Sequence, residues 1–427
     1  MTLETEVAVD GYRRGVLRAT TALLTVLLTA ALAASLVPVA SAAAAPRKIA
    51  YAEWQTTADL NRGVLEGVKV VKGKLAIDRP IGHRTYRDRR YAFARWTSPW
   101  TTPDFRLTEL IASWDATTPR NSFIEVQVRG RPVSGRASSW DVLGRWTSGD
   151  RFVRRTSVPG QGDDLARVKV DTWQTKNGAG LASWRLRVIL LRGAGSPGPR
   201  VDGIGAVASR LPNVSGVATS EPGPGSGTTL AVPRYSQMTH SGHYPQWGGG
   251  GQAWCSPTAT SMVLGYYDRL PPAGAYAWVP GNHRAPWVDF AARMTYDADY
   301  GGTGNWPFNT AYAATRTEHA FVTRLRNLRE AGRFIEAGIP LVASISFGSG
   351  ELDGAPISAS SGHLLVIVGF TAGGDVVVND PAARTKAGVR RTYDRGQFED
   401  AWIPTSGGVV YVIRDQAHPL PGARSNW

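Results

Sequence analysis

The chain has one cysteine, Cys255, placed after the glycine run 248–251 and directly before Ser256-Pro257-Thr258. Ala259, Met262, Val263 and Tyr266 mark the apolar side of a helix beginning there, and Pro257 suits its first turn. A thiol at a helix start faces unpaired backbone N–H groups and the positive end of the helix dipole, which favours the reactive thiolate. His363 opens the apolar run 364–370, and Asp380 follows the next one, 376–378, in the phrase Asn379-Asp380-Pro381. Two adjacent antiparallel strands would set His363 and Asp380 side by side. Asp380 would then hold the ring tautomer while the other ring nitrogen takes the Cys255 proton. The alternative is a structural Cys255, a strand-edge His363 and a turn-forming Asp380 before proline.

The elements that must position these groups fall in the second half of the chain. Helical spacing covers 257–267 and 325–337, and strand-like runs cover 340–346, 364–370, 376–378 and 409–413, which describes an α+β domain. Before it, from Lys48 to about Arg192, the pattern has period two. Ile124, Val126 and Val128 alternate with polar residues, as do Ala166, Val168 and Val170, and then Trp184, Leu186, Val188 and Leu190. Turn dipeptides such as Ser134-Gly135, Ser148-Gly149 and Asn177-Gly178 separate the runs, so an all-β sandwich or jelly-roll-like domain is expected. Its tryptophans, among them Trp54, Trp96, Trp100, Trp114, Trp140, Trp146, Trp173 and Trp184, either fill the core or grip a ligand. Residues 193–229 are rich in glycine, proline, serine and alanine and read as linker. The expected organisation is an export signal at 1–46, a β-sandwich-like accessory domain at 47–192, the linker at 193–229, the α+β domain at 230–418 and a tail at 419–427. The two large domains are expected to fold separately.

Four phrases in chain order resemble the C39-like peptidase family, in a secreted, actinobacterial-type form. They are Val-Pro-Arg-Tyr-Ser-Gln at 232–237, Ala-Trp-Cys-Ser-Pro-Thr-Ala-Thr-Ser-Met-Val-Leu-Gly-Tyr-Tyr at 253–267, Gly-His-Leu-Leu-Val-Ile-Val-Gly-Phe at 362–370 and Val-Asn-Asp-Pro at 378–381. The resemblance implies a papain-like fold for 230–418 and a cysteine peptidase or amide hydrolase, a thiol protease. Cys255 would be the nucleophile, His363 the base, Asp380 the orienting acid and Gln237 the oxyanion-stabilising amide. Two departures stand out: Ser256 occupies a position where many relatives have glycine, and Gln237 lies 18 positions before Cys255, farther than is usual. Gln252 and Gln246 are therefore the alternatives to Gln237.

Arg13, Arg14 and Arg18 precede the apolar run 21–40 and a small-residue stretch, the pattern of a cleaved export signal with cleavage near 42–45. Arg13-Arg14 resembles a twin-arginine signal with Tyr12 in place of the usual serine. The alternative is a retained anchor; no second spanning segment follows. A single cysteine rules out an internal disulfide, so an exported thiol needs a chemical reason. The net charge of +14 favours an acidic partner, such as an anionic cell-wall polymer, beside a peptide or cell-wall peptide substrate. No zinc finger, RNP or recognition-helix pattern points to nucleic acid. His240 and His243 have ligand spacing, with His283 and Asp289 not far on, but no complete zinc pattern forms. The expectation is no metal or cofactor, with these histidines at the active-site entrance or on the surface. The rival to catalysis is an inactive papain-fold protein that binds the cell surface or cell wall.

Overall fold

The computed structural model describes residues 46–162 and 164–427; the expected signal falls outside them, Pro46 excepted. The first half is all-β, built from two antiparallel sheets of seven strands each. In one, Arg200–Arg210 is central, flanked by Glu109–Thr117, Lys48–Trp54 and Lys74–Ile77. In the other, Ser183–Gly193 lies between Ser122–Arg131 and Arg89–Thr97. The period-two runs are strands, with Ile124, Val126 and Val128 buried against Leu186, Val188 and Leu190. Residues 200–210, expected as linker, are a strand because Val201, Ile204, Ala206 and Ala208 point into the core while glycines and alanines let neighbouring strands approach.

The tryptophans divide by position. Trp54, Trp96, Trp114, Trp146, Trp173 and Trp184 are buried in the core. Trp100 and Trp140 lie on the outer face, where arginines cover them: Arg131 and Arg185 stand 4.4 and 4.6 Å from Trp100, and Arg187 stands 4.1 Å from Trp140. These indoles carry guanidinium stacking that shields the sheet.

The second half is mixed α/β. Its antiparallel six-stranded sheet runs His319–Arg324, Val409–Arg414, Leu341–Phe347, Ser360–Phe370, Val376–Asn379, Arg390–Tyr393. The helix Cys255–Tyr266 packs on the Ser360–Phe370 strand and against the helices Pro286–Thr295 and Trp306–Ala314. It is buried nearly all round, including Thr258, Thr260 and Ser261, so its apolar stripe is only part of its buried surface. No helix among the described residues is long and apolar enough to cross a membrane.

The two halves share one core and form a single compact unit, Pro46–Trp427. Phe308 of the second half packs on Trp114 and Trp146 of the first. Arg324 pairs with Glu109 at 2.7 Å and His319 with Asp115 at 2.7 Å across the same contact. The glycine- and proline-rich stretch after Arg210 is laid along the second half: the Val217 amide donates to Asp400, and Leu230 to the Val368 carbonyl. Residues 419–427, expected as a tail, are docked, with Asn426 buried and Trp427 packed on Phe334.

Candidate active site

Cys255 is the first residue of its helix, and Trp254, at the N-cap position, makes no side-chain capping bond. The positive end of the dipole therefore faces the thiol, as the sequence implied. Cys255 is partly buried and unpaired, and it opens into a cleft of about 500 Å³. Glycines 248, 301, 302, 304 and 362 line much of that cleft, with Ser344, Ser346 and Ser361 adding hydroxyls. A wall of backbone and small side chains leaves room for an extended chain to lie against it.

The strand register pairs Val366 with Asn379, which sets Asp380 one step past the pair and diagonal to His363. His363 Nε2 lies 2.8 Å from Asp380 Oδ1, and Cys255 is near enough for its sulfur to help hold the charge on the same imidazole. With Nε2 committed to Asp380, Nδ1 is the nitrogen left for the sulfur. Asp380 is held in turn: Tyr393 donates its hydroxyl to Oδ2 at 2.7 Å, and the Ala382 amide donates to Oδ1 at 2.9 Å. Burial works against charge on His363, but Asp380 and Cys255 outweigh it and raise its pKa to about 10. Burial pushes Asp380 up, yet the charge and hydrogen bonds of His363, with those of Tyr393 and Ala382, hold it below the ordinary carboxylate range. The arrangement favours an imidazolium beside a carboxylate, the form in which Nδ1 can hold a proton taken from Cys255.

Residues 229–410 match the family model of the peptidase C39-like family, and residues 50–209 match that of the peptidase C39 N-terminal domain. The chain belongs to the peptidase C39-like family. No curated protein matches it.

In this C39-like chain Gln237 is buried next to the Cys255 segment, its own amide donating to the Pro381 carbonyl. Its side-chain nitrogen donates to the Gln252 carbonyl at 2.6 Å, an acceptor that fixes which way the amide points. One N–H is thereby used and the second remains. Gln252 is exposed and its side chain turns back on its own loop, donating to the Gly249 carbonyl and accepting from the Gly242 amide; Gln246 is exposed. Ser256 is fully buried and its hydroxyl lies 2.9 Å from that of Tyr411, so the side chain added where glycine is usual has a partner beneath the sheet.

Three contributors escaped the sequence reading. Tyr393 lies on a four-residue strand whose polar composition, Arg-Arg-Thr-Tyr, carries no period. Val170 and Asp171, in the first half, reach the Cys255 cleft. Val170 had been expected in a strand, but the pairing of Lys169 with Thr172 makes 170–171 the two-residue turn of a hairpin. Val170 has φ +44° there, in the left-handed region that glycine usually fills. Asp171 accepts from the Trp306 amide at 3.3 Å and from the Thr172 hydroxyl; burial raises its pKa to about 6. The four residues weighed as metal ligands are not on the surface: His240 and Asp289 are fully buried, and His243 and His283 lie against them.

Proposed function

We propose that this C39-like chain is an exported cysteine peptidase that hydrolyses peptide or related amide bonds on a papain-like scaffold. One observation supports the reading: a buried imidazole bound to Asp380 through Nε2 lies near the Cys255 sulfur, which sits at a helix start and opens to a cleft. His363 Nδ1 holds the proton taken from the thiol, and the Cys255 thiolate attacks the substrate carbonyl carbon. The carbonyl oxygen gains the charge, and the free N–H of Gln237 with the backbone N–H of Cys255 are its donors. The C–N bond then breaks and His363 returns the proton to the leaving amine. Water attacks the thioester, giving its proton to His363, and the acid product leaves with the thiol restored. The signal-like residues 1–46 support action outside the cell, on a peptide or cell-wall peptide.

A thiol-directed probe and a peptide library read by mass spectrometry test this together. Cys255→Ala abolishes both labelling and cleavage with the circular dichroism unchanged, and His363→Ala abolishes labelling. Full cleavage by Cys255→Ala rejects the mechanism. A folded wild-type chain whose Cys255 resists the probe under reducing conditions favours the inactive binding protein instead.

A further inference from the structure

The segment leading to Cys255 contains a cluster of side chains that the peptide chemistry does not use. His240 ends the 3-10 turn Gln237–His240, His243 follows three residues later, and Asp289 sits in the first turn of the helix Pro286–Thr295. Asp289 is fully buried, and the Nδ1 atoms of three histidines approach its carboxylate. That of His240 is 3.0 Å from Oδ2, that of His243 is 2.9 Å from Oδ1 and that of His283 is 3.4 Å from Oδ1. Ligand atoms of His240, His243 and Asp289 all lie within 4.8 Å of one another. The rings of His243 and His283 are stacked 3.5 Å apart and only 13° from parallel.

Hydrogen bonding alone leaves this cluster incomplete. The carboxylate accepts from His240 and His243, while His283 Nδ1 is buried with no hydrogen-bond partner. A buried ring nitrogen without a partner is costly. Ligands about 2.0–2.1 Å from a tetrahedral ion stand about 3.3 Å from one another, close to the nitrogen-to-carboxylate separations of 2.9 to 3.4 Å found here. Three imidazoles and one carboxylate, with no thiolate, suit a borderline divalent ion, zinc foremost.

We propose that His240, His243, His283 and Asp289 form a structural binding site for a divalent transition-metal ion, zinc by preference, that clamps the segment preceding Cys255. Four protein ligands make a closed site, the structural kind. The clamp joins positions 46 and 49 residues apart, which a chain with one cysteine cannot join by an internal disulfide. What it holds is the stretch carrying Gln237 and the glycine run. A Cβ on Gly251 would sit 1.9 Å from the His240 carbonyl oxygen, and Trp254, next to Cys255, packs its ring 6.2 Å from that of His240. Binding requires neutral imidazoles and an ionised Asp289, so it consumes no oxidant and releases only whatever protons the nitrogens carried.

The test uses residues 46–427, stripped with a chelator and then given zinc or cobalt alone. The expected result is one zinc per chain surviving gel filtration, by elemental mass spectrometry, with a Tm raised by several degrees. Cobalt is expected to give tetrahedral d–d bands without a thiolate charge-transfer band. His243→Ala and Asp289→Asn lose the ion, and Cys255→Ser keeps it. His243 is the most exposed ligand, so its variant decides the matter if Asp289→Asn fails to fold. Substoichiometric metal in folded wild-type protein, retention by folded His243→Ala, or loss in Cys255→Ser would each overturn the site; the last would move the ion to Cys255. None of these results depends on peptide cleavage.

Discussion

At the scale of single residues the site turns on which groups hold His363. Asp380 is itself fixed by Tyr393 and the Ala382 amide, so the carboxylate cannot rotate away without leaving two donors unmatched. Asp380→Asn keeps the shape but removes the charge that raises His363. The expected outcome is a loss of turnover of roughly 10- to 100-fold, short of the total loss in Cys255→Ala. The rate of Cys255 alkylation against pH provides the independent check. With Asp380 present, His363 carries its proton up to about pH 10; in Asp380→Asn the high-pH limb of the profile moves down. The same sign governs stability. A histidine raised in the folded state contributes fully below its ordinary pKa of 6.5, and the contribution fades as pH rises through about 10. An Asp380→Asn profile superimposable on wild type would remove Asp380 from the site. The residues themselves were legible, since Cys255, His363 and Asp380 sit in phrases with helix-start and strand-edge character. Tyr393 was not, because a hydroxyl donor to a buried carboxylate needs no local pattern.

At the scale of elements, the strand register decides the geometry and a hairpin from the first half lines the cleft. Val170, held at positive φ, and Asp171, whose pKa burial raises to about 6, are together an unfavourable turn that packing against Trp306 maintains. Because the carboxyl of Asp171 rises from its ordinary 3.8, its ionisation opposes folding. The cost is absent below about pH 4 and complete above about pH 6. Asp171→Asn is accordingly expected to stabilise residues 46–427 by roughly 1–3 kcal/mol at pH 8 and to leave stability at pH 4 unchanged. Urea unfolding at the two pH values measures it, and equal effects at both would show that the carboxylate is not buried against Trp306. The strand runs and the Cys255 helix were readable from periodicity. The helices Pro286–Thr295, Trp306–Ala314 and Arg395–Ser406 were not, since nearly all of Trp306–Ala314 is buried and Arg395–Ser406 carries Pro404 in its interior.

At the scale of the whole molecule, the β half and the mixed half form one body. Trp114 and Trp146 cover Phe308, Ser113 accepts from the Val322 amide, and the Arg155 guanidinium donates to the Arg293 carbonyl. His319, between Asp115 and Glu53, is raised to about 9: burial opposes its charge, but the two carboxylates outweigh it. One cooperative transition is expected for residues 46–427. Residues 212–427 alone, which would expose Phe308 and leave His319 unpaired, are expected to lack one. Calorimetry of the two chains decides it, and a sharp, independent transition in 212–427 would restore the picture of separate domains.

The sequence alone determined the all-β and mixed halves, the cysteine at a helix start and the chain order of the histidine and aspartate that meet in the fold, because periods of two and 3.6 and the chemistry of a helix start are local properties. Tertiary structure decided the rest. Arg200–Arg210 reads as the start of a linker until strands from both sides claim it, since small residues suit a loop and a crowded central strand equally. His240, His243, His283 and Asp289 offer ligand spacing without a complete zinc pattern until the chain folds back and brings three imidazoles to one buried carboxylate. Contacts between residues far apart in the chain depend on how helices and sheets pack, and no spacing along the chain encodes that packing.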